Sequence, residues 1–566
     1  MIPTYRRFIP QVLASTAKNL LLFELGLLVG LPTIIIPAIL DPNSDVKFTE
    51  DQSSWFASIM FIAQPIGAMS VNFVLDPLGR KLCMMLINIP ILVGMLILAN
   101  ASSVEVFYLM SALFGACIGF MEAPTITYIG EISEPDFRGI LTTYAEAMLN
   151  AGFVFIYICG SFLHWRTATL SAAILPMLAL VAVYMIPETP IWLISKGKIK
   201  EAEKSLCWLR GWVEPEAIKQ ELDHTVHYYH DTANKKQGIN PEKGTDAECI
   251  DRDANLKHDD QKSTDSKIEY SSARPERLFS VDLNDGKVVI DSKMRNSTYG
   301  TTEDPYNGDS MVHFKAQTQN VTDKNTADFK VSSYNVNSTA TGKESLKERI
   351  SYFFRREMMH PLLLMLVYLF FTVFNARVTI TPYYVLLAKD LNLSMDPFTI
   401  TVVFSVTTLV GTVICMIVVR WTGKRFLALL TSVSLTVLLF ALGYYTWSPT
   451  GQAQQSTWIP FFLLIVIHIF FGVTVVPWLY MSEIFPFRGR GFATSLLASM
   501  FYVYGFFATK LYFQLISWVS LNGLFFAFSF INLISFVFLY FCLLETEGKT
   551  LAEIEQQFKK KTNKCF

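Results

Sequence analysis

The sequence predicts an all-α membrane protein whose spans fall into two halves of six. Three observations predict it: an apolar composition, about twelve windows long enough to cross a bilayer, and an internal repeat. Of 566 residues, 52% are hydrophobic and 14% aromatic but only 17% are charged, with a mean hydropathy of +0.35. That is too apolar for an ordinary soluble multidomain chain. The charge balance, 47 Lys+Arg against 48 Asp+Glu for a net −1, gives no ground for a nucleic-acid partner. The expected surroundings are a lipid bilayer.

A hydrocarbon core takes about 20 apolar residues in a helix. In the first half such windows run over 20–40, 55–75, 82–99, 106–130, 140–162 and 167–186. In the second they run over 361–387, 398–419, 426–447, 458–481, 492–517 and 521–543. Arg6, Arg7 and Lys18 precede the first window without a small-residue cleavage site, so that span is expected to stay as an anchor.

With twelve spans both termini share one side. That side would hold Arg6, Arg7, Arg80, Lys81, Arg138, Arg420, Lys424, Arg425, Arg488, Arg490 and the basic run 559–561. The opposite loops hold little more than Lys47, Arg166 and Lys389, alongside Asp41, Asp45, Glu50 and Asp51. The positive-inside rule places both termini in the cytoplasm. The sequons at Asn100 and Asn392 then lie outside, open to glycosylation, and those at Asn296, Asn320 and Asn337 lie inside as chance matches.

Domain organisation follows. A bundle over 1–186 leads into an intracellular segment, 187–229, in which Leu193, Ile194, Ala202, Leu206, Leu209 and Ile218 recur at helical spacing. Residues 230–347 are polar and cannot bury enough surface to offset ordering entropy, so a disordered insert is expected, and a cytoplasmic partner would act there. The second bundle covers 348–543 and a tail covers 544–566. The eight cysteines lack paired spacing, so neither a disulfide framework nor a zinc site is expected. His224, His227 and His230 are read as a solvated helix end, and no metal or cofactor is assigned.

The halves repeat each other. Tyr128, Glu131, Ile132, Pro135, Phe137, Arg138 and Gly139 recur in order as Tyr480, Glu483, Ile484, Pro486, Phe487, Arg488 and Gly489. A weaker pair sets Asp76, Gly79, Arg80 and Lys81 against Arg420, Gly423, Lys424 and Arg425. Two bundles related by a pseudo-twofold axis, with a path between them, are the physical reading.

Four segments carry a family resemblance: GEISEPDFRG at 130–139, PETPIWLISKGKIKEAEKSLCWLRG at 187–211, PWLYMSEIFPFRGRG at 477–491 and LETEGKTLAEIE at 544–555. In these the chain resembles the sugar porters of the major facilitator superfamily, and within them the insect facilitated trehalose transporter-like branch. The resemblance covers all but the insert. It implies the major facilitator fold and a plasma-membrane carrier that moves a small polar solute, a sugar such as trehalose or a hexose, by facilitative alternating access. It also implies gating ion pairs at the cytoplasmic helix ends among Asp76, Arg80, Glu131, Arg138, Glu188, Glu483, Arg488 and Glu545. Pro77 replaces the usual Arg after Asp76, and Arg420 and Trp421 replace the Asp and Arg of the second half, which weakens that half's lock.

The solute pathway departs further. Sugars are held by amides, which donate and accept while neutral. In the family's register the fifth-span Gln is Glu146, the seventh-span Gln pair is Thr372 and Val373, the following Asn is Val378, and an eleventh-span Asn is Phe501. Trp478 of the tenth span and Tyr383 of the outer gate are kept. Ionisable groups appear instead: Glu24, Glu122, Arg377 and His468, in spans one, four, seven and ten. An unpaired charge at mid-membrane costs about 2.5–3.5 kcal/mol, so Arg377 is expected to pair with Glu146 or Glu122. His468 is expected to be a packing histidine, and Glu24 to be partly solvated near the cytoplasmic end. Three alternatives stay open: a carrier of a charged organic solute, a proton-coupled symporter, and a non-transporting sensor signalling through the insert. No nucleophile–base constellation or phosphate-cradling loop points to an enzyme.

Overall fold

The structure is a computed structural model that describes residues 4–236, 356–393, 395–448, 458–485 and 490–546. The expected disordered insert lies outside them, apart from its first residues, which continue a helix. Among the described residues every regular element is helical. Among these described residues, eleven helical segments are long and apolar enough to cross a membrane.

The first half holds α1 (Thr4–Ile39), α2 (Glu50–Leu78), a third span broken into α3 (Arg80–Leu86) and α4 (Asn88–Ala99), α5 (Val104–Ile132), α6 (Pro135–Phe162), and a sixth span broken into α7 (Trp165–Ala172) and α8 (Ile174–Met185). Local chemistry sets these boundaries. Thr49 and Gln52 form a reciprocal capping box at the start of α2, and Pro135 opens α6, where its missing N–H is no loss. The interior prolines of α1, Pro10, Pro32 and Pro37, each forgo one intrahelical hydrogen bond without interrupting the helix.

Three helices follow: α9 (Pro190–Ser195), α10 (Ile199–Leu209) and α11 (Pro215–Lys236). Leu193, Ile194, Ala202, Leu206, Ile218 and Leu222 form a small core of their own, on the spacing the sequence displayed. α11 runs on through His230 to Lys236, past the expected start of the insert.

In the second half the seventh span is α12 (Arg356–Val373), α13 (Arg377–Ile380), a 3₁₀ turn and α14 (Tyr384–Asp390). The remainder are α15 (Pro397–Thr422), α16 (Lys424–Trp447), a tenth span of α17 (Trp458–Val473) and α18 (Val476–Glu483), α19 (Arg490–Lys510) and α20 (Tyr512–Cys542). The eleventh span therefore stops at Lys510, short of the expected boundary at 517, and the last helix starts early and kinks at Ser520, whose φ is 64°. Cys83, Cys117, Cys159, Cys207 and Cys415 are free thiols, but Cys542 is disulfide-bonded, against the reading of the spacing.

Lipid tails give helices no hydrophobic reason to associate, so close backbone approach must do it. Glycines supply that approach in matched places. A Cβ on Gly26 would fall 1.9 Å from the Leu149 carbonyl oxygen and one on Gly152 2.0 Å from that of Phe23, joining α1 to α6. Gly67, Gly115 and Gly119 join α2 to α5 in the same way, and Gly411 and Gly472 join α15 to α17. The outward faces carry exposed apolar side chains such as Phe73 and Phe162, as lipid contact requires. The halves meet along α2 with α19 and α6 with α15. The face on which α1 begins is called inner below, and the opposite one outer.

Candidate functional site

At the inner face each half builds the same cap. Gly79 turns the chain between α2 and α3 with φ 88° and ψ 169°, and Gly423 does so between α15 and α16 with φ 79° and ψ 159°. These positive φ values suit glycine, and each turn is filled by a carboxylate. Glu188 accepts from the Lys81 N–H at 3.0 Å and from the Thr189 N–H at 2.9 Å. Glu545 accepts from the N–H groups of Lys424 at 3.2 Å, Arg425 at 2.9 Å and Thr546 at 3.0 Å. A negative group at a helix N-terminus satisfies donors that have no partner within the helix. Burial pushes the Glu188 carboxyl above its ordinary pKa, opposed by the N–H groups of Thr189 and Lys81. Around the caps, Lys81 Nζ donates to the Tyr184 carbonyl at 2.8 Å and Arg425 Nη2 to that of Tyr540 at 2.7 Å. Tyr128 Oη donates to the Pro187 carbonyl at 2.8 Å, and Tyr480 Oη to that of Leu544 at 2.9 Å.

Beside the first cap, Arg80 pairs with Glu131 at 2.8 Å and, more loosely, with Asp76 at 3.9 Å. Both strands of this lock belong to the first half. Arg488 and the side chains of Arg138 and Glu483 lie outside the described residues, so the expected tie between halves is not in view. A second cluster escaped the sequence reading: Glu134 pairs with Arg7 at 2.8 Å and Arg210 at 3.3 Å, and Arg210 with Glu221 at 2.7 Å. It fastens α10 and α11 to the first bundle. Its signal was only a Glu next to a repeated motif.

At mid-depth the seventh span breaks at Ala376, whose φ is 91°, and this break presents Arg377. Its Nη1 donates to the Phe471 carbonyl and to Thr474 Oγ1, each at 2.8 Å, and its Nη2 to Asn150 Oδ1 at 3.2 Å. Asn150 Nδ2 donates in turn to Thr412 Oγ1 at 3.1 Å. The expected ion pair of Arg377 with Glu146 or Glu122 does not form. The guanidinium is held by neutral oxygens, and an amide one turn beyond Glu146 bridges the halves instead. Glu122 accepts from Tyr502 Oη at 2.7 Å, a second bond between halves.

Other expected site residues divide. Val378, Trp478 and Phe501 come together with Phe61 of the first half and Tyr502 in one apolar cluster, Trp478 lying edge-on to Phe501 at 5.2 Å. Thr372 lines a small cavity of mixed polar and apolar lining within the second half, with Asn375, Thr431, Leu435, Val473 and Asn532. Val373 and Tyr383 are fully buried. Tyr383 stacks on Tyr512 at 4.1 Å and donates to the Thr509 carbonyl at 3.1 Å, on a turn that packs against α1 of the first half. His468 is buried in the second half: its Nδ1 meets the Leu464 carbonyl at 2.7 Å, its ring stacks on Phe404 at 4.2 Å and its Nε2 has no partner. Glu24 is fully buried, with neither oxygen hydrogen-bonded, correcting the expectation of partial solvation; α1 is longer than its apolar window and carries this residue deep.

The outer face is closed by groups the sequence reading passed over. Lys510 Nζ reaches Asp51 at 2.5 Å and Ser54 Oγ at 2.8 Å and sits 4.4 Å from the Trp55 ring. Thr33 Oγ1 donates to the Thr381 carbonyl at 2.9 Å, a further tie between halves. A lysine at the outer end of a span, against the general charge bias, was the available signal. Asn100 and Asn392 are exposed in connections on the face away from the caps. Among the described residues no trio of metal-ligating side chains converges.

The family described as "Sugar (and other) transporter" matches residues 14–246 and 309–558. A facilitated trehalose transporter Tret1 from Apis mellifera ligustica is 25% identical over 557 residues, 98% of this chain and 89% of that one. A Tret1 from Bombyx mori is 24% identical over 551 residues, 97% and 86% of the two chains. Among solved structures, the proton:xylose symporter XylE bound to 6-bromo-6-deoxy-D-glucose superposes with a TM-score of 0.62 at 16% identity, covering 98% of this chain and 99% of that one. The inward-open xylose transporter XylE from E. coli gives 0.61 at 14% identity over 97% and 99%. At such identities the structures speak for the fold, the major facilitator arrangement of twelve helices.

Proposed function

The chain belongs to the sugar (and other) transporter family, and on that premise we propose that it is a facilitative carrier of a sugar, trehalose or a hexose, working by alternating access in the plasma membrane with both termini cytoplasmic. The observation that carries the reading is how the halves meet. Polar bonds at mid-depth, through Asn150, Arg377 and Thr412 and through Glu122 and Tyr502, sit beneath an outer closure made by Lys510, Asp51 and Trp55. Each is a contact between side chains that rocking of two glycine-tightened halves would break and remake without disturbing either interior.

The named relatives move trehalose, which makes a neutral disaccharide the first solute to try. Uptake of radiolabelled trehalose, glucose and a panel of organic ions by a transport-null host expressing the full chain tests the proposal. Saturable sugar uptake that equilibrates without accumulating supports it. Uptake confined to an organic ion, or accumulation that collapses with the proton gradient, overturns it in favour of another carrier class.

A further inference from the structure

Lys18 on α1 and Glu146 on α6 are both drawn to the middle of the protein and left without partners. Lys18 is 1% exposed, and no hydrogen bond or ion pair within the described residues satisfies its ammonium. Glu146 accepts no hydrogen bond on its carboxylate among the described residues either; only its backbone carbonyl is used, by Asn150. The two are near enough to feel each other's charge without touching. Their helices pack tightly at this level, where Thr16 and Tyr144 share a hydrogen bond of 3.3 Å.

Both side chains lie on or near helix faces that meet the second half. Glu146 lies one turn from Asn150, whose amide bonds Arg377 and Thr412 of the other half, so the two share the face of α6 that meets that half. Around α1, at about 100° per residue, Lys18 lies within about 60° of Thr33, which bonds the other half at Thr381. Glu146 is also close enough to interact electrostatically with Glu122, Arg377 and Cys415, from three further helices. The cations of this group are balanced by its acids. Ser15, three residues before Lys18 on the same face of α1, is buried with its hydroxyl lacking a partner, and the adjacent Asn19 is buried with its amide unpartnered.

A buried ammonium with no partner, beside a half-buried carboxylate that accepts nothing, is costly in a membrane interior unless something else completes it. A polyhydroxylated neutral solute does so: each hydroxyl accepts from an ammonium and donates to a carboxylate. Arg377 is already engaged by three oxygens, which leaves Lys18 as the donor. We propose that Lys18 and Glu146 form the first half's hydroxyl-binding pair, Lys18 donating to and Glu146 accepting from adjacent hydroxyls of the solute, in place of the amides that sugar sites ordinarily use.

This deepens the proposed sugar carriage and rests on it. The test is sugar-uptake kinetics of full-length Lys18→Met, Glu146→Leu and Lys18→Arg, each normalised to surface expression. Losing a hydrogen bond to a charged group should raise KM about tenfold or more in the Met and Leu variants, with Lys18→Arg recovering part of the loss. Should either apolar variant fail to reach the surface, Lys18→Arg and Glu146→Asp replace it, with a KM shift again expected. Unchanged KM in variants that reach the surface overturns the pair while leaving sugar carriage intact. Absence of sugar uptake by the unmodified protein is a failure of the proposed function, a separate result.

Discussion

The two inner-face caps, Gly79 with Glu188 and Gly423 with Glu545, are nearly superposable in backbone angles and donors, whereas the residues beside them have diverged. In the first half Arg80 faces Glu131 and Asp76. In the second, Lys424 and Arg420 stand at the positions of Arg80 and Asp76. A cap only has to hold a helix start, and any functional state needs that in both halves. A lock has to be released, and one half can dominate its timing. Geometry conserved between repeats thus marks architecture, and chemistry that differs marks the step that moves.

That comparison can be broken experimentally. The largest effect is expected at the turns. A Cβ on Gly79 would fall 2.4 Å from Glu188 Oε2 and one on Gly423 2.6 Å from Glu545 Oε2, both at positive φ. Gly79→Ala and Gly423→Ala should each cost about 3 kcal/mol and abolish surface expression; tolerance in one half alone would end the equivalence of the caps. Next comes Arg80→Gln, which leaves Glu131 without its cation, at about 2 kcal/mol, read as a lower melting temperature in detergent together with altered transport rate. Glu188→Gln and Glu545→Gln should each lose about 1 kcal/mol, and the two losses should match. The smallest effect is at the outer closure, where Asp51 is largely exposed: Lys510→Met should alter stability by about 0.5 kcal/mol yet speed thiol labelling of Ser54→Cys from outside. No change in labelling would mean that the outer contact does not hold the halves together.

The spans, the two halves and the amphipathic inner helices were legible in the sequence because each rests on a local period or a repeat. The capping acids were legible as motifs, though not as caps, since nothing in the spacing says that Glu188 reaches the turn at Gly79. Lys18 was hidden by its neighbours. Grouped with Arg6 and Arg7 it read as a flank, yet α1 starts at Thr4 and carries it into the interior. Arg377 was noticed but given the wrong partners, because charge invites a search for opposite charge, while the break at Ala376 aims it at oxygens of Phe471, Thr474 and Asn150. The outer closure at Lys510 depends on two helices far apart in the chain. No periodicity reports that.

The glycine contacts of α1 with α6, α2 with α5 and α15 with α17 set backbone against backbone, with carbonyl oxygens about where a methyl group would have to go. Neighbouring side chains cannot relieve such a clash by choosing another rotamer. Substitution at these seams should therefore be answered all or none, while the membrane-facing positions a few residues away, such as Phe73, accept almost any apolar replacement. A saturation scan of this protein should show tolerance that is bimodal along a single helix, with the intolerant positions tracing the edges of the parts that travel as one.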